Sequence, residues 1–147
     1  RREGLTDHPR VVEGLRLIRD RTIESGGWNY GNKVVFGREL RPQPAPTGLG
    51  LLALAGHEDR TPAVRRAIAY LQDVLPSIRS AASLCWGLLG LRAWGHRPEN
   101  AASWLEEGRQ LSKKRGDTAL RLSCLLLAAG THSLKQLGLA EGDSWND

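Results

Sequence analysis

A chain of 147 residues, 40% of them hydrophobic, has material for one core, and we expect a single domain spanning residues 1–147. Arg92 and Arg121 interrupt the two longest apolar segments, which excludes a run of about 18 to 20 apolar residues able to span a bilayer. The formal net charge of +5 permits attraction to anionic surfaces, but the positive residues are mostly scattered arginines, and only residues 113–115 form a dense cluster. Because charge alone suggests it, a basic helical-repeat protein that binds nucleic acid is only a second alternative to the functions predicted from the helices and motifs.

Cys85 and Cys124 are isolated in the sequence, each within an apolar run. Their spacing matches neither a metal knuckle nor the disulfide framework of a small secreted protein, so we predict two buried free thiols and a cytoplasmic location. The chain begins at Arg1 and contains no methionine, which predicts a fragment of a longer protein.

The first predicted helical hairpin covers residues 8–56. Residues 9–23 form an amphipathic pattern, in which we expect Val11, Leu15 and Ile18 to face inward, and residues 47–55 form an apolar helix.

The connection between these two helices, residues 25–46, is long and rich in glycine and proline, and such connections are often functional. Its aromatic residues Trp28 and Tyr30 are candidate ligand-binding residues. The alternative is that the two rings form an aromatic plug, which pins the loop to the ends of neighbouring helices.

The second predicted hairpin covers residues 61–95. A Thr-Pro pair opens an amphipathic helix over residues 61–75, and Pro76 ends it. The helix that follows, residues 80–94, is apolar on every side, so neighbours must cover it nearly all round.

Trp86 and Trp94 lie within about 80° of each other on the wheel of this second apolar helix, at roughly 100° per residue. If that side faces a lumen, the two rings form an apolar wall for a ligand. The alternative is core packing between helices, which Gly87 and Gly90 favour because they permit close helix contact.

The third predicted hairpin covers residues 98–130, with an amphipathic helix over 98–111 and an apolar one over 117–129. The apolar helices of the three hairpins end at Gly56, Gly95 and Gly130, and we expect each glycine to adopt the left-handed conformation of a helix C-terminus. A two-helix repeat with a period of about 35 to 40 residues is typical of helical repeat proteins. With no clear strand, the sequence predicts an all-α fold.

The string GGWNYGN, residues 26–32, lies between an amphipathic helix and TGLGLLALAG. It resembles the glycine-tryptophan signature of the prenyltransferase and squalene-oxidase repeat family, which includes proteins like squalene-hopene cyclase. The resemblance implies a partial α/α toroid of about three outer/inner helical hairpins. It is strongest over residues 11–56, no second GGW follows, and residues 17–21 lack the glutamine of the family motif.

The catalytic motifs of that family are absent. There is no clustered D-x-D-D, and Ser83 and Leu122 stand where the family's zinc site has an aspartate two residues before a cysteine. The four histidines are interpreted as helix-end residues: His8, His57, His96 and His132. We therefore predict no catalytic residue, no metal and no cofactor in this chain.

These observations predict a non-catalytic or incomplete segment that contributes an apolar concave wall or an interaction surface. The alternative is part of an isoprenoid-processing enzyme whose catalytic residues lie outside this chain. The expected partners are an isoprenoid or other apolar ligand, the remainder of the parent chain, or a second copy bound through the open repeat ends.

Overall fold

A computed structural model describes residues 4–57, 60–116 and 118–139. Within these ranges the chain is mostly helical, which confirms the all-α prediction. The helices are α1 (Pro9–Asp20), α2 (Pro44–Leu54), α3 (Pro62–Val74), α4 (Ala81–Arg92), α5 (Ala101–Lys114), α6 (Ala119–Ala129) and the short α7 (Ser133–Gln136). A 3-10 turn, Leu75–Ser77, follows α3, and two short strands, β1 (Val34–Val35) and β2 (Arg38–Glu39), lie between α1 and α2.

The fold is organised around α4, which contacts α2 and α6 more extensively than it contacts any other helix. The amphipathic helices pack onto these apolar ones: α1 on α2, α3 on α2 and α4, and α5 on α4 and α6. The fully apolar character of α4 follows from this position, because neighbours surround it. Eight of its residues are buried, whereas α1 buries none.

The backbones of α2 and α4 touch. A Cβ atom on Gly48 would lie 2.0 Å from the carbonyl oxygen of Trp86, and one on Gly90 would lie 2.7 Å from Cα of Gly48. On the next turn of α4, a Cβ on Gly87 would lie 2.8 Å from Cδ2 of Leu75. The close helix contact expected from Gly87 and Gly90 is therefore present, with Gly48 as the partner on α2.

Several helix boundaries differ from the predicted ones. Helix α1 ends at Asp20 rather than at residue 23. Helix α2 begins at Pro44 rather than at residue 47, because a proline in the first helical turn has no backbone N–H that would be left unpaired. Lys113 and Lys114, which belong to the dense basic cluster, form the last turn of α5, where their positive charge is favourable at the helix C-terminus. Val11 was expected to face inward but is exposed.

The glycines that follow the apolar helices do not all behave as predicted. Gly56 and Gly95 have φ of 75° and 83°, in the left-handed region as expected. Gly130 is extended, with φ −65° and ψ 132°, so that prediction is wrong. Side chains satisfy the end of α6 instead: Arg92 donates to the carbonyl oxygen of Gly130 at 2.8 Å, and the Ser133 hydroxyl donates to that of Leu127.

The β1–β2 hairpin was not predicted. Val34 pairs with Glu39 and Val35 with Arg38, in antiparallel register. The two turn residues, Phe36 and Gly37, both have positive φ, 49° and 72°, as in the turn type that matches strand twist in two-residue hairpins. All four strand residues are exposed, so the hairpin lies outside the core and leaves the fold class unchanged.

Candidate functional site

Trp28 joins the glycine-rich loop to two helices. Its ring is 5% exposed, and its indole Nε1 donates to the carbonyl oxygen of Ile18 at 2.7 Å. Its backbone N–H donates to the buried hydroxyl of Thr47 at 3.0 Å. Gly50 on α2 makes room for the ring, because a Cβ there would lie 2.7 Å from the indole. The geometry of Trp28 therefore favours the pinning role over ligand contact.

Tyr30 does not share this site. Its side chain is 75% exposed, and its backbone N–H donates to Oδ1 of Asn29 at 2.6 Å. The interpretation of Trp28 and Tyr30 as a joint aromatic plug is therefore wrong for Tyr30. The residue follows the buried indole by two positions, and at Gly31 the chain turns with a positive φ.

Trp94 and Trp86 occupy different environments. Trp94 lies beyond the end of α4, is buried, and donates from its indole Nε1 to the carbonyl oxygen of Leu51 at 2.9 Å. Trp86 is half-buried and packs against the core, and its own carbonyl oxygen faces Gly48. Trp94 therefore ties the end of α4 to α2, as core packing requires, and the two rings do not line the groove described next.

A groove of about 500 Å³ lies between α4, α5 and α6, and we call it the α4–α5–α6 groove. Its lining is mainly apolar. The residues include Leu88, Ala101, Leu105, Leu122, Leu125 and Leu126. Leu125 is buried at the floor of the groove, whereas the neighbouring Leu126 is 72% exposed. The groove therefore presents apolar surface to solvent.

Charged side chains surround the groove. The Arg92 guanidinium donates to the carbonyl oxygens of Gly130 and Thr131 at 2.8 and 3.0 Å, which fixes it at the end of α6. Glu106 and Arg109 form an ion pair at 2.7 Å. Hydrogen bonds from Arg109 and Gln110 lower the pKa of Glu106 to about 2, so this carboxylate is charged at neutral pH. Arg92 and Arg97 also line the groove.

The sequence did not point to this groove as a site. Its residues come from three helices and from the Arg97–Pro98 connection, and none stands out by type or spacing. One signal was available: α6 is apolar on several sides and is the last long helix of the described chain. Leu126 and Leu120 on α6 are both more than two-thirds exposed.

His8 and His96 make polar contacts through their side chains. Nδ1 of His8 accepts from the backbone N–H of Arg10 at 3.2 Å and caps α1, and Nδ1 of His96 lies 3.3 Å from Nε2 of Gln72. Over residues 4–57, 60–116 and 118–139, no three histidine, cysteine, aspartate or glutamate side chains are grouped to hold a metal ion.

Comparison of the chain with protein-family models, with curated proteins and with solved structures finds no match. In the part of the chain that the structure describes, none of the helices has the length and apolar character needed to cross a membrane. The family resemblance of GGWNYGN therefore stays a prediction, and proposals about function depend on the groove itself.

The two cysteines lie together. Cys85 on α4 is fully buried, and Cys124 on α6 is half-buried, which corrects the prediction that both thiols are buried. Burial raises the pKa of the Cys85 thiol to about 12, and the charge of Cys124 and a hydrogen bond with it act in the same direction.

This shift predicts a loss of stability at high pH. An unfolded cysteine titrates near a pKa of about 8.5, so the unfolded chain loses this proton before the folded chain does. The contribution of Cys85 is fully present below about pH 8.5 and is lost as the pH rises towards about 12. In reducing buffer, Tm should fall with pH more steeply for the wild type than for Cys85→Ala. Parallel curves of Tm against pH would show that the titration of Cys85 does not contribute to the pH dependence of stability.

Proposed function

We propose that this chain is a non-catalytic segment of a prenyltransferase-like and squalene-cyclase-like α/α-toroid repeat protein. We also propose that the α4–α5–α6 groove is its binding surface for an isoprenoid or a similar apolar chain with an anionic end. The observation that carries the proposal is the groove, which has a volume of about 500 Å³, a mainly apolar lining from three helices, and arginines at its edge. The GGWNYGN turn and the alternation of amphipathic and apolar helices support the family.

The size and lining of the groove suit a small apolar ligand. Ligand sites in proteins commonly have volumes of about 300 to 1,000 Å³ and are lined mainly by apolar side chains. A ligand here would cover Leu126, which is otherwise exposed, together with Leu105 and Leu122. Removing apolar surface from water provides about 25 cal/mol per Å², so these leucines would supply most of the affinity.

The charge of the groove favours an anionic group at one end. Helices α4 and α6 finish at the end where α5 begins, so Arg92 and Arg97 lie together there. Arg92 is held by two carbonyl oxygens near the end of α6, so binding an anion would require little further ordering of its side chain. A hydrocarbon chain along the leucines with a diphosphate or carboxylate at this end would match both properties.

The second candidate is an isoprenoid-processing enzyme whose catalytic residues lie outside this chain. The same groove would then contribute one wall of a larger cavity. The two candidates differ in the parent protein: the enzyme requires a clustered aspartate motif or zinc ligands in the rest of its sequence.

A titration with farnesyl diphosphate, followed by amide shifts in ¹⁵N NMR, tests the groove. We expect saturable shifts in α5 and α6 of the wild type, with affinity about tenfold weaker for Leu126→Gln, which corresponds to about 1.4 kcal/mol. Leu120→Gln is the matched control, because Leu120 lies on the same helix, is similarly exposed and does not line the groove.

Farnesol, which has the same chain without the charge, should bind more weakly than the diphosphate, and Arg97→Gln should reduce that difference. The proposal is wrong if the wild type shows no saturable shifts, or if Leu126→Gln and Leu120→Gln lose affinity equally.

A further inference from the structure

We propose that the β1–β2 hairpin is a membrane-inserting wedge that binds the surface of an anionic lipid bilayer. Its apolar tip consists of Val34, Val35 and Phe36, and its basic flank of Lys33 and Arg38. This surface is separate from the α4–α5–α6 groove, and nothing in the proposed ligand binding depends on it.

The tip exposes apolar side chains on both faces of the ribbon. Val34 shares one face with its partner Glu39, and Val35 shares the other with its partner Arg38, since side chains alternate along a strand. Both valines are exposed, and Phe36 at the turn is fully exposed. A two-stranded ribbon without a covering layer is only marginally stable in water. Three consecutive exposed apolar residues at its tip indicate that this surface binds a partner.

Phe36 also adopts an unfavourable backbone conformation. Its φ is +49°, in the left-handed region that glycine and asparagine tolerate and aromatic residues rarely enter. Glycine at this position would relieve the strain, yet the position carries a large apolar ring exposed to solvent. The turn accounts for the positive φ, but it favours glycine or asparagine and does not account for a large exposed ring.

The positive charges beside the tip indicate that the partner is anionic. Lys33 and Arg38 are exposed and lie on the same face as Val35, because Lys33 pairs through its carbonyl oxygen with Leu40 in the continuation of the ribbon. On the opposite face Glu39 is turned towards the base of the loop, where its carboxylate accepts the backbone N–H of Glu24 at 3.0 Å. The positive side chains are therefore the ones beside the apolar tip.

A bilayer fits this geometry better than a protein groove does. A groove in a partner protein would cover one face of the ribbon, whereas a fluid bilayer surrounds an inserted tip and covers Val34 and Val35 together. Lysine and arginine just outside the inserted residues would lie at the level of anionic headgroups, where each contributes to binding. Phe36, at the turn, would reach deepest.

Co-sedimentation with lipid vesicles tests the wedge. The full chain should bind vesicles made of equal parts phosphatidylserine and phosphatidylcholine and should not bind phosphatidylcholine alone. Phe36→Gly should weaken binding about tenfold or more, and Arg38→Gln about fivefold. Leu120→Ser is the control, because Leu120 is also an exposed apolar residue but lies outside the hairpin. This variant should bind vesicles as the wild type does.

Stability separates this role from a structural one. Phe36→Gly should keep or slightly raise Tm, because it removes strain at positive φ, while it loses vesicle binding. Three results would overturn the proposal: no binding of the wild type to phosphatidylserine vesicles, full binding by Phe36→Gly, or equal loss in Leu120→Ser.

Discussion

Gly48→Ala is expected to destabilise the protein by about 3 kcal/mol or more, at the upper end of the effects of overpacking a core. The new methyl group would lie 2.0 Å from the carbonyl oxygen of Trp86 and 2.3 Å from its carbonyl carbon. Because these are backbone atoms of α4, a side-chain rotation cannot relieve the clash. The two helices must separate, and the packing of Gly90 against Gly48 is lost with them.

Urea denaturation at equilibrium measures this effect, with Gly14→Ala as the matched control. Gly14 also lies within a helix, and a Cβ there would meet no atom within 4 Å. Alanine at Gly14 should raise stability by about 0.5 to 1 kcal/mol, because it favours the helix. A loss below about 1 kcal/mol for Gly48→Ala would show that α2 and α4 are not in backbone contact.

Trp28→Ala is expected to destabilise the protein by about 3 to 5 kcal/mol, the range for removing a large aromatic side chain from a core. The loss has two parts, since the ring packs against Gly50 and its indole holds the carbonyl oxygen of Ile18. Trp28→Phe keeps most of the ring and leaves that carbonyl without its donor, so it should cost about 1 to 3 kcal/mol.

Tyr30→Ala is the matched control for Trp28, because the two aromatic residues lie in the same loop and differ in exposure. Its effect on the free energy of unfolding should stay within about 0.5 kcal/mol, as for most surface substitutions. Equal losses for Tyr30→Ala and Trp28→Ala would mean that the loop acts as a unit and that Trp28 does not pin it alone.

The helices were predictable because hydrophobic periodicity reports burial directly. The even apolar distribution of α4 required neighbours on all sides, and the structure provides α2, α6, α3 and α5. The role of Trp28 was also within reach, since a tryptophan among glycines after a helix has room to fold back on that helix. Gly87 and Gly90 indicated a close contact on α4, although nothing in the sequence named Gly48 as the partner.

The remaining features depend on tertiary arrangement. Gly130 was expected to turn left-handed like Gly56 and Gly95, but Arg92 and Ser133 supply donors to the end of α6, so the chain does not need that turn. The β1–β2 hairpin has only two residues per strand, too few for a pattern of alternation to be recognised. The α4–α5–α6 groove depends on how three helices diverge, which no single helix encodes.

Intermolecular NOEs between farnesyl diphosphate and the leucine methyl groups of the protein test the central claim most directly. The account predicts NOEs from the methyl groups of the isoprenoid chain to Leu105, Leu122 and Leu126, which line the groove, and none to Leu120. NOEs confined to residues outside the groove, or none at saturating ligand, would contradict it.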